Sequence, residues 1–480
     1  MNDFTLRCLC VPAEFERPIK RQKIITFAED GAVVKRTAKG VIEEIKMERD
    51  LMGKLLMISL KGKLDIGIVL TYPLTPVPLV FCHLDVTINR TNKAVLFKNL
   101  EKRIISDTPQ EIDAYIIDGF FFLHLMINNL PSTFEAIARV LFIKLCSYKG
   151  KQIHLIFDHI VYPSIKDCER DRRSDGDHVE YGTIGNKQRR PGNFLKTLRN
   201  DNFKSEFVKF LTTAFEEESL SETCYCYKVV DGKIWKSTEG SMSSSHEEAD
   251  TKIIAHLATI PPPANVVIRT SDTDVLVIAL ANNENIRRGV QTYLEVGLSS
   301  NNSLRFINVT KLAVKLGPLL CKALTGLHCF TGCDHAPEFS RKGKIGPLAI
   351  KKKTSLPRSS RFSWVYQSTT KRPMSTVKGI DGSSLPPCKL VLQQQINRAN
   401  CICSAWNFAF TLSPNVFFPQ TSGWNIEKDD YGNERFSVNW FEGDLAPQTL
   451  EEVLQKEKTT ESEIREEEND DEEGDVEDES

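Results

Sequence analysis

Three short apolar runs in this chain, AYIID (114–118), QIHLIFD (152–158) and NVVIRTSD (265–272), each break off at an aspartate. Apolar runs of this length, without polar alternation, are what strands show when helices cover both of their faces. The stretches FFFLHLMINNL, TFEAIARVLFIKLC and NFLKTLRNDNFKSEFVKFLTTAF read as the intervening helices. Alternation of strand and helix predicts an α/β fold with a mainly parallel central sheet flanked by helices. In such a sheet the carboxyl ends of the strands share one edge, the usual place for a ligand. Asp118, Asp158 and Asp272 are therefore expected side by side.

Other carboxylates belong to the same edge. Asp274 follows Asp272 by two residues, Glu248 and Asp250 open the helix that leads into the third run, and Asp334 lies in CFTGCDHAP. Any one of these aspartates has an ordinary alternative role as a helix N-cap, because strand–Asp–helix is a common junction. Repetition at every junction favours a shared site. Crowded carboxylates repel one another and resist ionisation, and a cation removes that penalty. All-oxygen ligands suit a hard ion, Mg2+ or Mn2+, better than zinc. A set this large has room for two ions about 4 Å apart, the arrangement used in phosphodiester hydrolysis, which needs no Ser, Cys or His nucleophile.

In order along the chain, IIDG (116–119), FDH with PSIKDCERDRR (157–173), EEAD (247–250), TSDTD (270–274) and TGCDHAP (331–337) resemble the motifs of the flap-endonuclease-like 5′-nucleases, which have a PIN-like fold. RKGKIGPLAIKKK (341–353) is similar to the start of that family's helix–two-turn–helix element. Asp250 stands where the family has a second glutamate, and His335 where it has an aromatic residue. The resemblance implies a metal-dependent nuclease that cleaves DNA or RNA near single-strand/duplex junctions. It implies two ions held by Asp118, Asp158, Glu248, Asp250, Asp272, Asp274 and Asp334, with Lys166 and Arg170 acting on the scissile phosphate. Arg172 and Arg173 would join them in contacting nucleic acid. So would Arg341, Lys342, Gly343, Lys344, Gly346, Lys351, Lys352 and Lys353, by phosphate contacts that make binding salt-sensitive. The alternative is a non-catalytic PIN-like scaffold that binds nucleic acid or protein.

The rest of the chain divides by composition. Residues 1–105 read as an N-terminal mixed α/β extension, 106–355 as the nuclease-like core, and 356–387, rich in Ser, Lys, Pro and Arg, as a linker. A helical and aromatic segment at 388–448 precedes a disordered acidic tail at 449–480. From 451 onward there are 16 acidic and 3 basic side chains, so a net charge of −2 conceals a body of +11. A basic body suits a polyanionic partner, DNA rather than RNA in this reading. Basic runs such as 341–353 also serve as nuclear import signals, and an intracellular, nuclear location is expected. No apolar run is long enough to span a bilayer, so no membrane partner is expected. The thirteen cysteines include three C-x-C pairs, Cys8/Cys10, Cys224/Cys226 and Cys401/Cys403, and none has the spacing of common zinc sites.

Overall fold

The computed structural model describes residues 65–83, 86–105, 107–167, 169–170, 181–217, 245–350, 386–428, 432–450 and several short strands, with Ser383 and Glu452. The expected acidic tail, nearly all of the expected linker and most of the chain before residue 65 lie outside the described residues. Two compact units divide at Ile66/Gly67. In the first, β1 (Ala32–Arg36) and β2 (Ile42–Lys46) form an antiparallel hairpin.

The second unit is built on an eight-stranded sheet. Its strands are β3 (Ala114–Asp118), β4 (Gln152–Ile156), β5 (Tyr225–Val230), β6 (Lys233–Lys236), β7 (Gly240–Ser243), β8 (Ala264–Arg269), β9 (Val290–Val296) and β10 (Arg305–Asn308). They lie in the order β10-β9-β8-β3-β4-β5-β6-β7. The five central strands, β9-β8-β3-β4-β5, are parallel, while β10 pairs antiparallel with β9 at one edge and β6 pairs antiparallel with both β5 and β7 at the other. From β3 the chain moves outward to β4 and β5, then returns across to β8 and β9. The direction of winding reverses between β3 and β8, the position where open α/β sheets bind ligands.

Side chains alternate across the sheet with the period of two that a pleated strand imposes. Ala114, Ile116, Val266, Ile268 and Leu294 belong to one core, and Tyr115, Ile117, Ile153, Leu155 and Val267 to the other. The second core is covered by α2 (Gly119–Met126), α3 (Phe134–Cys146) and α4 (Asp201–Glu217), where Phe134, Phe194, Phe203, Phe207 and Phe210 pack ring against ring. The first core holds α5 (Ala249–Thr259) and α6 (Thr273–Ala281). Every residue of α6 is buried, as a helix apolar on all sides must be.

Around α6 lie α1 (Ala94–Glu101), α7 (Val309–Leu316), α8 (Pro318–Phe330) and α9 (Lys389–Asn407). Residues 77–100, expected in an extension, thus contribute Phe81, Leu96, Phe97 and Leu100 to the main core. The expected C-terminal segment does the same through Trp406 and the hairpin β11 (Trp424–Lys428) and β12 (Glu434–Val438), which supplies Trp424 and Phe436. No helix among the described residues is long and apolar enough to cross a membrane.

Gly119, the glycine of IIDG, sits where a Cβ would lie 2.4 Å from the ring of Phe157. The ring precedes Asp158, so the junctions after β3 and β4 are packed together without room for a methyl group. Gly119→Ala is expected to cost about 1–3 kcal/mol as an overpacking substitution, read as a lower midpoint in urea unfolding.

Candidate metal centre

Each strand-end carboxylate is fixed by a backbone amide of the helix that follows it or lies beside it. Asp118 closes β3, and its Oδ1 accepts the Phe121 N–H at 3.0 Å. Asp158, two residues beyond β4, accepts the Ala249 N–H at 2.6 Å, tying the end of β4 to the first residue of α5. Asp272 caps α6 by accepting the Asp274 N–H at 2.9 Å. Capping and clustering are therefore compatible: the N-cap contacts aim the carboxylates at one crevice. Glu248 occupies the N-cap position of α5, and Asp250 and Asp274 lie in the first turns of α5 and α6. One oxygen from each of Asp250, Asp272 and Asp274 lies within 4.8 Å of the others. That spacing matches oxygens arranged around one divalent cation at roughly 2.0–2.6 Å.

Cationic side chains enter from both flanks. The Lys166 Nζ and His335 Nε2 each lie 2.7 Å from Glu248 Oε1. Lys93, at the start of α1, places its Nζ 2.9 Å from Asp274 Oδ2, 3.0 Å from Asp334 Oδ1 and 3.5 Å from Asp272 Oδ1. The other oxygen of Asp274 accepts from His328 Nε2 at 2.8 Å. Asp250 has no ion pair among the described residues.

The electrostatics follow these contacts. Burial pushes Asp118 up to about 7, with repulsion from Asp158 and Asp272 adding to it. Burial and repulsion from Asp274 raise Asp272 to about 6. Asp250 is raised well above the ordinary carboxylate range by burial, then by Asp272, Glu248 and Asp274. Burial acts upward on Glu248 as well, yet Lys166 and His335 hold it well below that range. Against the same burial, Lys93 and His328 hold Asp274 down. The cluster is left with Asp250 between two neutralised flanks, a place that a hard cation fits because it replaces protons on oxygen ligands. The donor set, all carboxylate oxygen, suits Mg2+ or Mn2+.

No family model and no curated protein matches the chain. Among solved structures, three of the catalytic core of Rad2 in complex with DNA substrate are similar. One is 14% identical, with a TM-score of 0.31 over 57% of this chain and 69% of the other. A second is 15% identical, with a TM-score of 0.31 over 58% and 70%. The third is 13% identical, with a TM-score of 0.32 over 57% and 69%. The likeness is distant, and the reading of the site rests on this chain's own residues.

The structure thus gathers Asp118, Asp158, Glu248, Asp250, Asp272, Asp274 and Asp334 at one edge, with Lys166 among them. Arg170 is engaged elsewhere: its guanidinium contacts Glu247 at 2.5 Å, Asp201 at 3.1 Å and Asp167 at 3.5 Å, and lies over the Tyr162 ring. Glu247 also accepts from Ser164 Oγ at 2.6 Å, so it clamps the segment after β4. In the glycine-rich element, Arg341 and Lys342 are exposed, and Gly343 and Gly346 border open space. Lys344 departs from the expected phosphate contact. It is 2% exposed and donates to His328 O and Gly332 O and to Thr331 Oγ1, capping the end of α8 from inside the fold. Arg172, Arg173, Lys351, Lys352 and Lys353 lie outside the described residues.

Lys93, His328 and His335 were not assigned roles from sequence. His335 adjoins Asp334, and His328 shares the buried face of α8 with Leu324 and Thr325, so both carry a local signal. Lys93 carries none, because its partners are about 180 or more residues away.

Burial lowers the Lys344 ammonium from the ordinary lysine value to about 8. The unfolded chain holds that proton up to 10.5, so between about pH 8 and 10.5 the unfolded state binds more protons and stability rises with pH. Lys344→Met removes this contribution. Urea unfolding at pH 7.5 and 9.5 is expected to show the wild type gaining about 2 kcal/mol relative to the variant at the higher pH.

Proposed function

We propose that this protein is a Mg2+- or Mn2+-dependent nuclease of the flap-endonuclease-like kind, hydrolysing phosphodiester bonds in DNA, or in RNA, in a structure-dependent way. The observation that carries the reading is the group Asp250, Asp272 and Asp274, gathered within 4.8 Å at the reversal point of the sheet and surrounded by four more carboxylates. A bound divalent ion would supply Lewis-acid stabilisation of the charge that develops on phosphate oxygens. Asp250, Asp272 and Asp274 would hold it, while Asp118 and Asp158 shape the neighbouring wall. Lys166, bridging to Glu248 at the mouth, is the side chain suited to orient a phosphate. Arg170 acts as a positioning residue that anchors the segment carrying Lys166 through Glu247 and Asp201.

A non-catalytic scaffold draws support from the internal neutralisation of Asp272, Asp274 and Asp334 by Lys93. The two readings separate in one assay. Purified protein is incubated with flap, single-stranded and duplex substrates in Mn2+, Mg2+ or EDTA. Metal-dependent cleavage supports the nuclease. Salt-sensitive binding with no cleavage of any substrate supports the scaffold, and cleavage that persists in EDTA contradicts the metal site.

A further inference from the structure

We propose that Lys93 is a built-in cation of this site, standing where a second divalent ion would bind, so that the protein takes a single Mn2+ or Mg2+ at Asp250, Asp272 and Asp274. The inference rests on the metal-site reading above and sets its stoichiometry at one ion, where the sequence resemblance implies two.

The Lys93 ammonium is shared among three carboxylates that arrive from separate places in the chain, the start of α6 and the loop after α8. A second divalent ion bound to Asp334 Oδ1 at about 2.0–2.1 Å would compete with an ammonium 3.0 Å from the same oxygen. Lys93 has helical backbone angles at the head of α1, and Asn92 Oδ1 accepts the Ala94 N–H at 3.1 Å. Leu96, Phe97 and Leu100 lock the same helix into the core, and Arg305 pairs with Glu101 near its far end. The ammonium is carried by a packed helix, unlike a surface lysine that pairs opportunistically.

On the opposite flank Glu248 is already shared by Lys166 and His335. With Lys93 serving Asp334 and one oxygen of Asp274, Asp250 is the member of the Asp250, Asp272 and Asp274 group that no side chain pairs among the described residues. One divalent cation meets that unpaired charge.

Mn2+ titration followed by the electron paramagnetic resonance signal of the free ion gives the number of bound ions. Wild type and Lys93→Arg are expected to bind one Mn2+ per chain, and Lys93→Met two. Thermal melts with and without Mn2+ check folding, with a larger Mn2+-induced rise in Tm expected for Lys93→Met than for wild type. Two ions in the wild type overturn the proposal and leave the metal site standing, as does a single ion in a folded Lys93→Met. No bound Mn2+ in any of the three proteins overturns both together.

Discussion

Asp272→Asn/Asp274→Asn is expected to reduce metal-dependent cleavage by at least about 10^3-fold while leaving the fold intact. Asp272 and Asp274 supply two of the three oxygens gathered at the centre. A metal's contribution to transition-state charge stabilisation is several kcal/mol, and each 1.36 kcal/mol is tenfold in rate. Asparagine retains an oxygen able to accept the Asp274 N–H, so the cap of α6 survives and stability changes little. His328 loses its charged partner in this variant and Lys93 keeps only Asp334, which is why circular dichroism belongs beside the cleavage measurement. Single-turnover rates in Mn2+ and Mg2+ check the expectation. A variant that cleaves within tenfold of wild type would remove these aspartates from the site.

Arg398→Ala is expected to be the most destabilising single change outside the site, by about 3–5 kcal/mol. Arg398 lies in α9 with no exposed surface. Its guanidinium donates to Gly423 O at 3.2 Å and Asn439 O at 2.6 Å, contacts Gln395 Oε1 and lies 5.5 Å from the centre of the Trp440 ring. Truncation removes the donor to Asn439 O, leaves Gly423 O with only the Asn439 N–H at 3.0 Å, and opens a cavity beneath the β11–β12 hairpin. Arg398→Lys keeps a charge without the planar fork and is expected to recover only part of the loss.

The consequence reaches the carboxylate cluster. Trp406 O accepts from Asn282 at the end of α6, and the Trp406 ring stacks at 5.7 Å on His328, the partner of Asp274. Urea unfolding measures the effect. A change below about 0.5 kcal/mol would mean that the segment after 388 is peripheral to the core.

What the sequence made legible follows from where the information lies. The ends of β3, β4 and β8 were readable because buried parallel strands are uninterrupted apolar runs, and Asp118, Asp158 and Asp272 stand at their ends. Val290–Val296 was not singled out as a strand. Glu295 and Thr292 break its apolar run although both are buried, and Arg269 pairs with the Glu295 carbonyl in the fold. Lys344 was misleading for a different reason. A phosphate-binding lysine and a lysine that caps a helix end from within have the same local sequence, and only burial separates them.

The boundary expected after residue 105 rests on composition, yet Phe81, Leu96 and Leu100 belong to the main core and Lys93 to the site. Contacts between residues far apart in sequence leave no periodicity to read. The catalytic-looking carboxylates were visible as a repeated local motif, and the cation that answers them was not.

A divalent ion held among Asp250, Asp272 and Asp274 is what the proposed chemistry requires. Anomalous diffraction from a crystal of the full chain soaked in Mn2+ locates such an ion without reference to activity. One strong peak is expected within about 2.0–2.6 Å of oxygens from those three residues. No peak there, or a peak only at a surface carboxylate, would contradict it.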